Sequence, residues 1–414
     1  MNNITIIGGG TAGWLSALFI NKKLPDVNLT LIESKSIGIV GVGEGTVPSI
    51  RRFLSRLGIS EFDFMNKTNA TKKIGISFEN WANDGTTFNH DFFQDGADSY
   101  AYHFDTQAIG NYFKDIGLTR NITHIEDNVI GFEKDGDIIK TIHLENNDSI
   151  DTDFVIDCSG FAKLVVGNEL GGEWTSHKKH LTLNSAVPFH LPLDGEVFTA
   201  DSDTRTNAIT MKYGWMWMIP LQNRWGCGYV FDDKYINEDD ARKEVEEYFD
   251  KKITFSKKIQ FESGYFKDVW VGNSIAIGLS GGFFEPLEAT SIMTVIYQLN
   301  KLNQFIKNDE SGSYNITEYN SLIRNFNEQV FYFIKYHYVC DRVDTKFWQD
   351  YKNKPIPDKL KQLLTDDYRL KIFDNNKLKE ILEISDKEPE PVFSTNQYSI
   401  LSIGNFKKTI KSLF

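Results

Sequence analysis

The sequence predicts an α/β fold with a parallel sheet, an inserted antiparallel sheet and a C-terminal helical region. Three observations support this class. The chain opens with a strand, a glycine turn, a helix and a second strand. Two later apolar runs, at 154–158 and 274–278, end in small residues, as buried parallel strands do. Residues from about 180 to 265 are rich in aromatic and β-branched side chains, which favour strands.

The composition is that of an ordinary globular protein. The 414 residues include 41% hydrophobic and 25% charged side chains, which excludes a chain that is disordered throughout. The formal net charge of -12 argues against a protein that binds nucleic acid through its phosphates. No apolar run reaches the ~18 residues of a membrane span, and the first residues lack a signal-peptide pattern. The three cysteines are widely separated, and we expect reduced thiols in a cytoplasmic protein.

The first unit is a βαβ motif. Its first strand leads into Gly8, Gly10 and Gly13, a helix follows, and the second strand ends in Glu33. In such a turn the first glycine permits a tight bend, the second lets a pyrophosphate approach the backbone, and the third lets helix and strand pack closely. Glu33 lies 20 residues after Gly13, where an acid can accept hydrogen bonds from ribose hydroxyls. The motif therefore predicts a dinucleotide site at the helix N-terminus; the alternative is a glycine turn that only packs.

The ends of two later strands favour FAD over NAD as the dinucleotide. The segments 153–161 and 274–278 resemble the strand ends that close the FAD site of flavin monooxygenases, and an NAD dehydrogenase has no need of them. They bring Asp157 and Gly278 to the predicted cofactor.

The remaining segments complete the predicted organisation. Residues from about 71 to 147 look strand-like, and the pattern over 290–306 predicts a long helix. We expect a discontinuous FAD-binding module over 1–340, into which the sheet of about 180–265 is inserted. A C-terminal helical region and tail then occupy 341–414.

Several short motifs follow one another along the chain. They are Val42–Pro48, Lys73–Trp81, Trp215–Pro220, Lys267-x-x-Trp270, Gly278–Ile292, His337-Tyr338 and Phe347-Trp348. The hallmark is Trp-x-Trp-x-Ile-Pro at 215–220, together with Lys-x-Gly-x-x-Phe-x-x-Trp at 73–81. In this combination the sequence resembles the flavin-dependent halogenases of the tryptophan-halogenase type, over residues 1 to about 350.

This resemblance implies a Rossmann-like FAD-binding domain of the flavin monooxygenase type. It also implies that reduced FAD, supplied by a separate flavin reductase, oxidises a halide ion with oxygen to hypohalous acid, which a lysine guides to a small aromatic substrate. Leu279 stands where flavin hydroxylases usually carry an Asp, which favours the halogenase interpretation. The residues expected to hold FAD are Gly8, Gly10, Thr11, Ala12, Gly13, Glu33, Gly43, Glu44, Val47, Asp157, Gly278 and Leu287.

By the same resemblance, Lys73 and Glu288 are the catalytic residues. As an ammonium group Lys73 can polarise hypohalous acid, and desolvation could lower its pKa enough to permit a haloamine; the sequence leaves both open. Strand alternation sends the neighbouring Lys72 to the opposite face. Glu288 could take the proton that the aromatic ring loses, and Glu285 is its nearest competitor.

Two further roles follow from the resemblance. Trp215 and Trp217 alternate on a strand and therefore face the same side; with Ile219 and Pro220 they are expected to shield the flavin from the organic substrate. Thr290 and Ser291 open a helix, and their backbone N–H groups are expected to hold the halide. The eight histidines show no ligand spacing, and we expect no metal.

Two other functions stay open at this stage: an FAD-dependent aromatic hydroxylase, and a flavin-binding protein without turnover. Halide dependence separates the first of these from a halogenase. The C-terminal part is short beside the tryptophan halogenases, which predicts a more open site that accepts several electron-rich aromatics. We expect no nucleic-acid or membrane partner, and a homo-oligomer is compatible with the sequence.

Overall fold

The computed structural model describes residues 1–35, 37, 41, 43–92, 99–307, 315–369, 375–384, 391–393 and 397–398. Val42 of the Val42–Pro48 motif and most of the predicted tail lie outside these residues. No helix in the described ranges is long and apolar enough to cross a membrane.

The strands and helices alternate irregularly along the chain. The strands are β1 (Asn3–Ile7), β2 (Asn28–Glu33), β3 (Glu44–Gly45), β4 (Thr71–Glu79), β5 (Thr87–Asp91), β6 (Ala101–Phe104), β7 (Thr123–Glu126), β8 (Val129–Asp135), β9 (Ile138–Leu144), β10 (Ile150–Asp151), β11 (Phe154–Asp157), β12 (Trp174–Ser176), β13 (Ser185–Leu191), β14 (Asp203–Met211), β15 (Gly214–Pro220), β16 (Trp225–Phe231), β17 (Ile259–Gln260), β18 (Gly264–Phe266), β19 (Trp270–Val271), β20 (Ser274–Ala276) and β21 (Gly282–Phe283). The α-helices are α1 (Thr11–Lys23), α2 (Ser49–Arg56), α3 (Glu61–Lys67), α4 (Thr106–Thr119), α5 (Glu238–Phe249), α6 (Thr290–Lys307), α7 (Ile316–His337), α8 (Lys346–Lys352), α9 (Asp358–Arg369) and α10 (Asn375–Leu382).

The predicted parallel sheet is confirmed; it belongs to a six-stranded sheet with the order β19-β20-β11-β1-β2-β7, in which only the edge strand β19 pairs antiparallel. Strand β1 pairs in parallel with β2 and β11, and β11 pairs in parallel with β20. Helices α1, α2, α4 and α6 share one hydrophobic core with one face of this sheet. The antiparallel strands β8 to β10 pack apolar side chains against its other face. The carboxyl ends of β1, β2, β11 and β20 therefore meet at one edge, where ligands bind in such sheets.

The second large sheet has nine strands and extends beyond the predicted insertion. Its order is β17-β13-β16-β15-β14-β4-β6-β3, and β5 pairs with β4. Strands β13 to β17 come from the predicted stretch, whereas β3 to β6 come from residues 44–104. The pair β14 and β4 is parallel, because the chain returns to β4 from a distant segment rather than through a hairpin. This pairing places the lysine motif beside the tryptophan motif, since β15 is the other neighbour of β14.

Helix α4 corrects the expectation that residues 71–147 are strand-like throughout. Asp105 caps its N-terminus and accepts hydrogen bonds from the N–H groups of Gln107 and Ala108. Gly117 lies where a Cβ atom would stand 2.5 Å from the Trp14 ring, so that α1 and α4 can pack closely. Glycines and β-branched residues lower helix propensity, and here tertiary packing overrides that preference.

The C-terminal helices do not form a separate core. Phe347, Trp348 and Tyr351 of α8 lie in the same buried cluster as Phe78 of β4 and Trp215 of β15. Helix α7 crosses this cluster and ends at His337, directly behind the large sheet. The described part of the region after residue 340 therefore packs against the back of the candidate site. The division into 1–340 and 341–414 stays a prediction.

Candidate active site

The glycine turn after β1 is tightly packed on one side and open on the other. Gly8 has a φ of 111°, and a Cβ atom there would lie 2.2 Å from the carbonyl oxygen of Cys158. A Cβ at Gly13 would lie 1.8 Å from the carbonyl oxygen of Gly8, which fixes α1 against β1. A Cβ at Gly10 would meet nothing within 4 Å. The open face of the turn therefore looks into a cavity.

This cavity has a volume of about 570 Å³ and runs from the glycine turn to the lysine motif. Most of the residues predicted for the site line it. They are Gly8, Gly10, Thr11, Ala12, Glu33, Gly43, Glu44, Lys73, Trp215, Trp217, Ile219, Gly278, Leu287, Glu288 and Ser291. The cavity thus joins the predicted cofactor, shielding, halide and catalytic residues in one space.

The predicted residues outside the lining have other tasks. Gly13 packs against Gly8, and the carbonyl of Val47 accepts the N–H of Ile50 at the start of α2. The Pro220 carbonyl accepts the hydroxyl hydrogen of Thr71 at 2.7 Å. Thr290 is buried as the first residue of α6.

Asp157 does not line the cavity, and its role as a cofactor ligand stays a prediction. Its side chain is completely buried, and one carboxylate oxygen accepts both the N–H and the hydroxyl hydrogen of Ser159. The other oxygen accepts the N–H of Val165 at 2.9 Å. The carboxylate therefore organises the loop after β11, and the loop residues that follow it, not Asp157, face the cavity.

Glu33 ends β2 at the far side of the cavity. The Nε2 atom of His124 on β7 lies 2.9 Å from Glu33 Oε2. The carboxylate also lies against Gly9, where a Cβ atom would be 2.2 Å from the Glu33 side chain. His124 thus orients Glu33, a contact between neighbouring strands that the sequence analysis missed.

Trp215 and Trp217 stand on the same face of β15, as predicted. Their ring centroids are 6.3 Å apart with an angle of 60° between the planes. The indole N–H of Trp215 points to Oε2 of Glu285 at 3.4 Å, and this oxygen also accepts the hydroxyl hydrogen of Tyr338. Both rings line the cavity that also holds the glycine turn and Lys73, and we call this pair the tryptophan wall.

Lys73 and Lys72 face opposite sides of β4, as strand alternation predicts. Lys73 is only 1% exposed, whereas Lys72 reaches solvent and pairs with Asp201 at 3.0 Å. Burial lowers the pKa of Lys73 to about 8, although the charge of Glu288 acts in the opposite direction. Among the described residues, no carboxylate lies within ion-pair distance of the Lys73 amine. A buried amine with a lowered pKa can act as a base or nucleophile at moderate pH.

Glu288 lies in the turn two residues before α6, where it has a φ of 63° and a buried side chain. Its Oε1 atom lies 2.8 Å from Nδ1 of His90 and 2.8 Å from Nε2 of His337. Burial alone would raise the pKa of Glu288, but the two histidines hold it well below its usual range. Within the described part of the chain Oε2 accepts no hydrogen bond. Oε1 of Glu288 is therefore held by the two histidines, whereas Oε2 faces the cavity.

The sequence analysis assigned no role to any histidine, whereas the structure brings His90 and His337 to Glu288. His90 and His337 belong to β5 and α7 and are far apart in sequence, so no local spacing could pair them with Glu288. The one available signal was the His337-Tyr338 motif, which carried no role in the sequence analysis.

Glu285, the competitor of Glu288, turns away from the cavity. Its side chain is completely buried behind Trp215, and burial raises its pKa to about 8. Glu285 therefore supports the tryptophan wall, and of these two glutamates it is Glu288 that lines the cavity.

The fold and the site together define an α/β protein with the glycine turn of dinucleotide-binding folds and with a buried lysine, a buried glutamate and two tryptophans in the same cavity. A family model described as tryptophan halogenase matches residues 3–99 and 94–377 of the chain. The 7-chloro-L-tryptophan 6-halogenase KtzR of Kutzneria sp. (strain 744) is 28% identical over 434 residues, covering 86% of this chain and 83% of that protein. The tryptophan 7-halogenase RebH of Lentzea aerocolonigenes is 29% identical over 437 residues, covering 89% of this chain and 82% of that protein.

A solved structure agrees with these similarities. The crystal structure of the tryptophan 6-halogenase SttH from Streptomyces toxytricini matches with a TM-score of 0.88 at 26% identity, covering 97% of this chain and 90% of that one. The chain belongs to the tryptophan halogenase family and is a flavin-dependent halogenase, an oxidoreductase that acts on an aromatic substrate.

The family implies FAD and a halide, and the residues present fit FAD. The turn offers an open backbone face at Gly10, where a pyrophosphate needs close approach. Thr11 and Ala12 bring the free N–H groups of the α1 N-terminus to the same cavity. Glu33 lines the cavity at the end of β2, where the ribose of a dinucleotide is bound in such folds.

Proposed function

We propose that this enzyme halogenates a small electron-rich aromatic molecule by guiding hypohalous acid to Lys73, with reduced FAD supplied by a separate flavin reductase. The observation that carries the proposal is the single cavity that joins the glycine turn to Lys73 and Glu288 past Trp215 and Trp217. The hydroxylase and the flavin-binding protein without turnover are not favoured, because the similar proteins carry halogenase names.

The residues of the turn and of α1 would hold the cofactor. When bound, reduced FAD supplies the electrons with which oxygen and a halide are converted to hypohalous acid. Gly43, Glu44, Gly278 and Leu287 also line the cavity and would surround the ring system.

The tryptophan wall separates the formation of hypohalous acid from the halogenation of the substrate. Trp215 is 1% exposed, and its hydrogen bond to Glu285 fixes the ring plane. A small neutral oxidant can pass beside such rings, whereas an aromatic substrate is excluded by size. We infer that Trp215 and Trp217 thereby prevent direct contact between the substrate and the cofactor.

The start of α6 supplies the halide site in this proposal. Thr290 begins the helix, and Ser291 lines the cavity. The first N–H groups of a helix have no partner within the helix and attract anions. The ligand would be the backbone, so side-chain substitutions at these two positions test the site poorly.

Lys73 and Glu288 carry out the transfer. Lys73 either polarises hypohalous acid as an ammonium group or attacks it as an amine, which releases water and leaves a halogen–nitrogen bond. In either case the halogen is transferred to a ring carbon. The C–H bond at that carbon then breaks, and its electron pair restores the aromatic ring. The Oε2 atom of Glu288, which has no hydrogen-bond partner in the described chain, accepts the proton that leaves.

The substrate class rests on the names of the relatives. KtzR and RebH are named for tryptophan substrates. An indole or another electron-rich aromatic is therefore the class that we propose for this chain. The three buried free cysteines support the proposal of a cytoplasmic enzyme.

A panel of indoles, phenols and pyrroles tests the proposal. Each compound is incubated with the pure chain, oxygen, a halide and FAD that is reduced either photochemically or by an added flavin reductase, and product masses are recorded. We expect a halogenated product that requires halide, oxygen and reduced FAD. A hydroxylated product without halide dependence would identify a hydroxylase. Turnover driven by NADH or NADPH without a reductase would contradict the two-component assignment.

A further inference from the structure

The side chain of Thr206 on β14 lines the cavity. Its Oγ1 atom lies 2.7 Å from Nε2 of His103, a completely buried ring on β6. This is the one hydrogen bond that the Thr206 hydroxyl makes to the described part of the chain. A hydroxyl group has one hydrogen and two lone pairs. The direction of this bond therefore decides what Thr206 offers to the cavity.

The contacts of the other ring nitrogen, Nδ1 of His103, fix that direction. Nδ1 lies 3.0 Å from Oγ1 of Thr204 and 3.4 Å from Oγ1 of Thr71. Thr204 donates its hydrogen to the carbonyl oxygen of Lys72 at 2.9 Å. Thr71 donates its hydrogen to the carbonyl oxygen of Pro220 at 2.7 Å. Neither hydroxyl has a second hydrogen to give, so Nδ1 of His103 is the donor.

His103 is therefore a neutral ring with its hydrogen on Nδ1 and a lone pair on Nε2. Burial and the charge of Lys73 hold the pKa of His103 well below its usual range, which agrees with a neutral ring. The lone pair on Nε2 takes the hydrogen of the Thr206 hydroxyl. Toward the cavity Thr206 then presents lone pairs alone, so it can accept a hydrogen bond but not donate one.

The amine of Lys73 borders the same space as the hydroxyl of Thr206. A Cβ atom built on Gly45 would lie 3.1 Å from Nζ of Lys73 and 3.4 Å from Oγ1 of Thr206. All three residues line the cavity. The glycine at position 45 therefore leaves both polar atoms uncovered. Within the described ranges these two atoms are not hydrogen-bonded to each other, and a small molecule can contact both.

Hypohalous acid, the oxidant of the proposed function, matches this pair of groups. Its O–H group is a hydrogen-bond donor, and its halogen is the electrophile. An oxygen that can only accept, such as Oγ1 of Thr206, binds the O–H group. A hydroxyl with a free hydrogen would also donate to the oxygen of the acid or to the lone pair of the Lys73 amine, and several orientations of the acid would then compete.

We propose that Thr206 is a further catalytic residue, whose oxygen accepts the O–H of hypohalous acid and holds the acid beside Lys73, and that His103 is the positioning residue that takes the Thr206 hydrogen. The inference rests on the proposed role of Lys73 and adds a second contact to the oxidant. When the oxygen–halogen bond breaks, the halogen passes to the Lys73 nitrogen or to the ring carbon. The hydroxide takes a proton from the Lys73 nitrogen and leaves as water.

Nitrogen NMR of the histidine-labelled wild-type protein tests the hydrogen position on His103. Its signals are assigned as those that move in Thr206→Ser, because His103 is the histidine that bonds to residue 206. We expect a neutral ring with a hydrogen on Nδ1 and none on Nε2 from pH 6 to pH 9. A hydrogen on Nε2, in a neutral ring or in an imidazolium, would leave the Thr206 hydrogen free and overturn the proposal, whatever the activity of any variant.

Thr206→Val tests the contact with the oxidant, since valine has nearly the shape of threonine without the hydroxyl. Halogenated product and the hypohalous acid that escapes to an added scavenger are measured in the same reaction. We expect their total to equal that of the wild type, while the product falls about tenfold, the effect of one hydrogen bond. Thr206→Ser keeps the acceptor and should restore the wild-type ratio.

Thr68→Val is the matched control. Thr68 is completely buried and does not line the cavity, and its hydroxyl donates to the carbonyl oxygen of Phe64 at 2.6 Å. This variant also loses one buried hydroxyl, and its ratio of product to escaped acid should equal that of the wild type. An unchanged ratio in Thr206→Val, or a proportional fall of product and escaped acid, would reject the proposal.

The experiments separate this inference from the proposed function. Absence of any halogenated product from the wild type would contradict the proposed function, while NMR would still decide the hydrogen position on His103. A halogenating wild type with a hydrogen on Nε2 of His103 would contradict the inference alone.

Discussion

Lys73 and Lys72 are adjacent in sequence, and their surroundings differ completely. Lys72 pairs with Asp201 at 3.0 Å at the surface, an exposed contact that contributes little to stability. Lys73 is buried in the cavity wall, and an ammonium group there has lost most of its hydration. A protein gains nothing in stability from such a lysine, which indicates that the position is kept for its chemistry.

Replacing each lysine in turn separates formation of the oxidant from its use. Lys73→Ala should leave FAD binding and flavin reoxidation nearly unchanged, because in our proposal Lys73 acts only after hypohalous acid has formed. Halogenated product should fall by about 10²–10⁴, the usual effect of removing a positioned acid–base group. Lys73→Arg should not restore it, since a guanidinium is bulkier and does not become a neutral amine. Product mass and oxygen uptake are measured in the same assay. The Lys72→Ala enzyme should have the activity of the wild type, and an inactive Lys72→Ala enzyme would contradict the assignment of Lys73.

Because Lys73 is buried, replacing it with an apolar residue should raise the free energy of unfolding. The pKa of Lys73 is about 8 in the folded protein and about 10.5 in the unfolded chain, so the unfolded state binds more protons between these values. The wild type should therefore become more stable as pH rises from 8 to 10.5. At pH 7 Lys73→Met should be more stable by up to about 3 kcal/mol, and this difference should shrink across that window. Urea unfolding at several pH values measures it, and a constant difference would contradict a buried cation.

At the scale of elements, the tryptophan wall depends on the turn that precedes α6. Strand β15 carries Trp215, and Glu285 in this turn accepts the indole N–H from behind. Tyr338, which follows α7, donates to the same oxygen of Glu285. The other oxygen, Oε1, is buried and has no hydrogen-bond partner among the residues that the structure describes. With a pKa raised to about 8 by burial, Glu285 is a neutral acid at pH 7 and acts as a shared acceptor.

Substitutions at Glu285 should separate its charge from its hydrogen bonds. Glu285→Gln keeps the acceptor for Trp215 and Tyr338 and cannot ionise. The folded wild type binds more protons than the unfolded chain from about pH 4.5 to pH 8, so its stability falls through this window as pH rises. The stability of Glu285→Gln relative to wild type should therefore grow from pH 4.5 to pH 8, as measured by urea unfolding.

Glu285→Leu is the matched variant that removes the acceptor. It leaves two buried donors unsatisfied and should be about 1–3 kcal/mol less stable than Glu285→Gln at pH 7. A looser Trp215 should also lower the yield of halogenated product per reduced FAD consumed. Equal yields in the two variants would show that the hydrogen bond to Trp215 does not maintain the wall.

The elements differ in how well the sequence predicts them. Helix α6 follows a clear apolar period, and the structure begins it at Thr290, where the sequence predicted. Helix α4 was missed because its glycine and β-branched residues serve packing against Trp14 rather than helix propensity. The parallel pair of β4 and β14 joins residues 71–79 to 203–211, and no local pattern encodes a pairing over that distance.

The same limit applies to the site as a whole. Lys73, Glu288 and the tryptophans were found because each belongs to a compact motif. His90 and His337 set the protonation state of Glu288. They belong to strand β5 and helix α7, and they meet only when the large sheet packs against α7. Asp157 is the opposite case. It lies at the end of a strand, where the sequence predicted a cofactor ligand, but its carboxylate accepts hydrogen bonds from the loop that follows it.

At the scale of the whole molecule, the cavity lies where two cores meet. One core joins the six-stranded sheet to α1, α2, α4 and α6, and the other joins the nine-stranded sheet to α7 and α8. FAD would bind at the glycine turn of the folded chain and not to the unfolded chain. It should therefore raise the thermal midpoint in a concentration-dependent way, and this response provides a test of cofactor binding that does not depend on activity.

The glycine turn allows that test to be made with matched variants. A Cβ at Gly10 meets no atom of the chain within 4 Å, so Gly10→Ala should fold and lose at most about 1 kcal/mol of stability at the helix start. The added methyl group occupies the space in which a pyrophosphate approaches the backbone, so FAD affinity and the FAD-induced rise in thermal midpoint should fall sharply. Gly13→Ala is the contrasting variant, since its Cβ would lie 1.8 Å from the Gly8 carbonyl oxygen and the apoprotein itself should be destabilised. Flavin fluorescence titration and thermal unfolding, each with and without FAD, distinguish the two. Wild-type FAD binding by a well-folded Gly10→Ala protein would mean that the pyrophosphate does not lie over this turn.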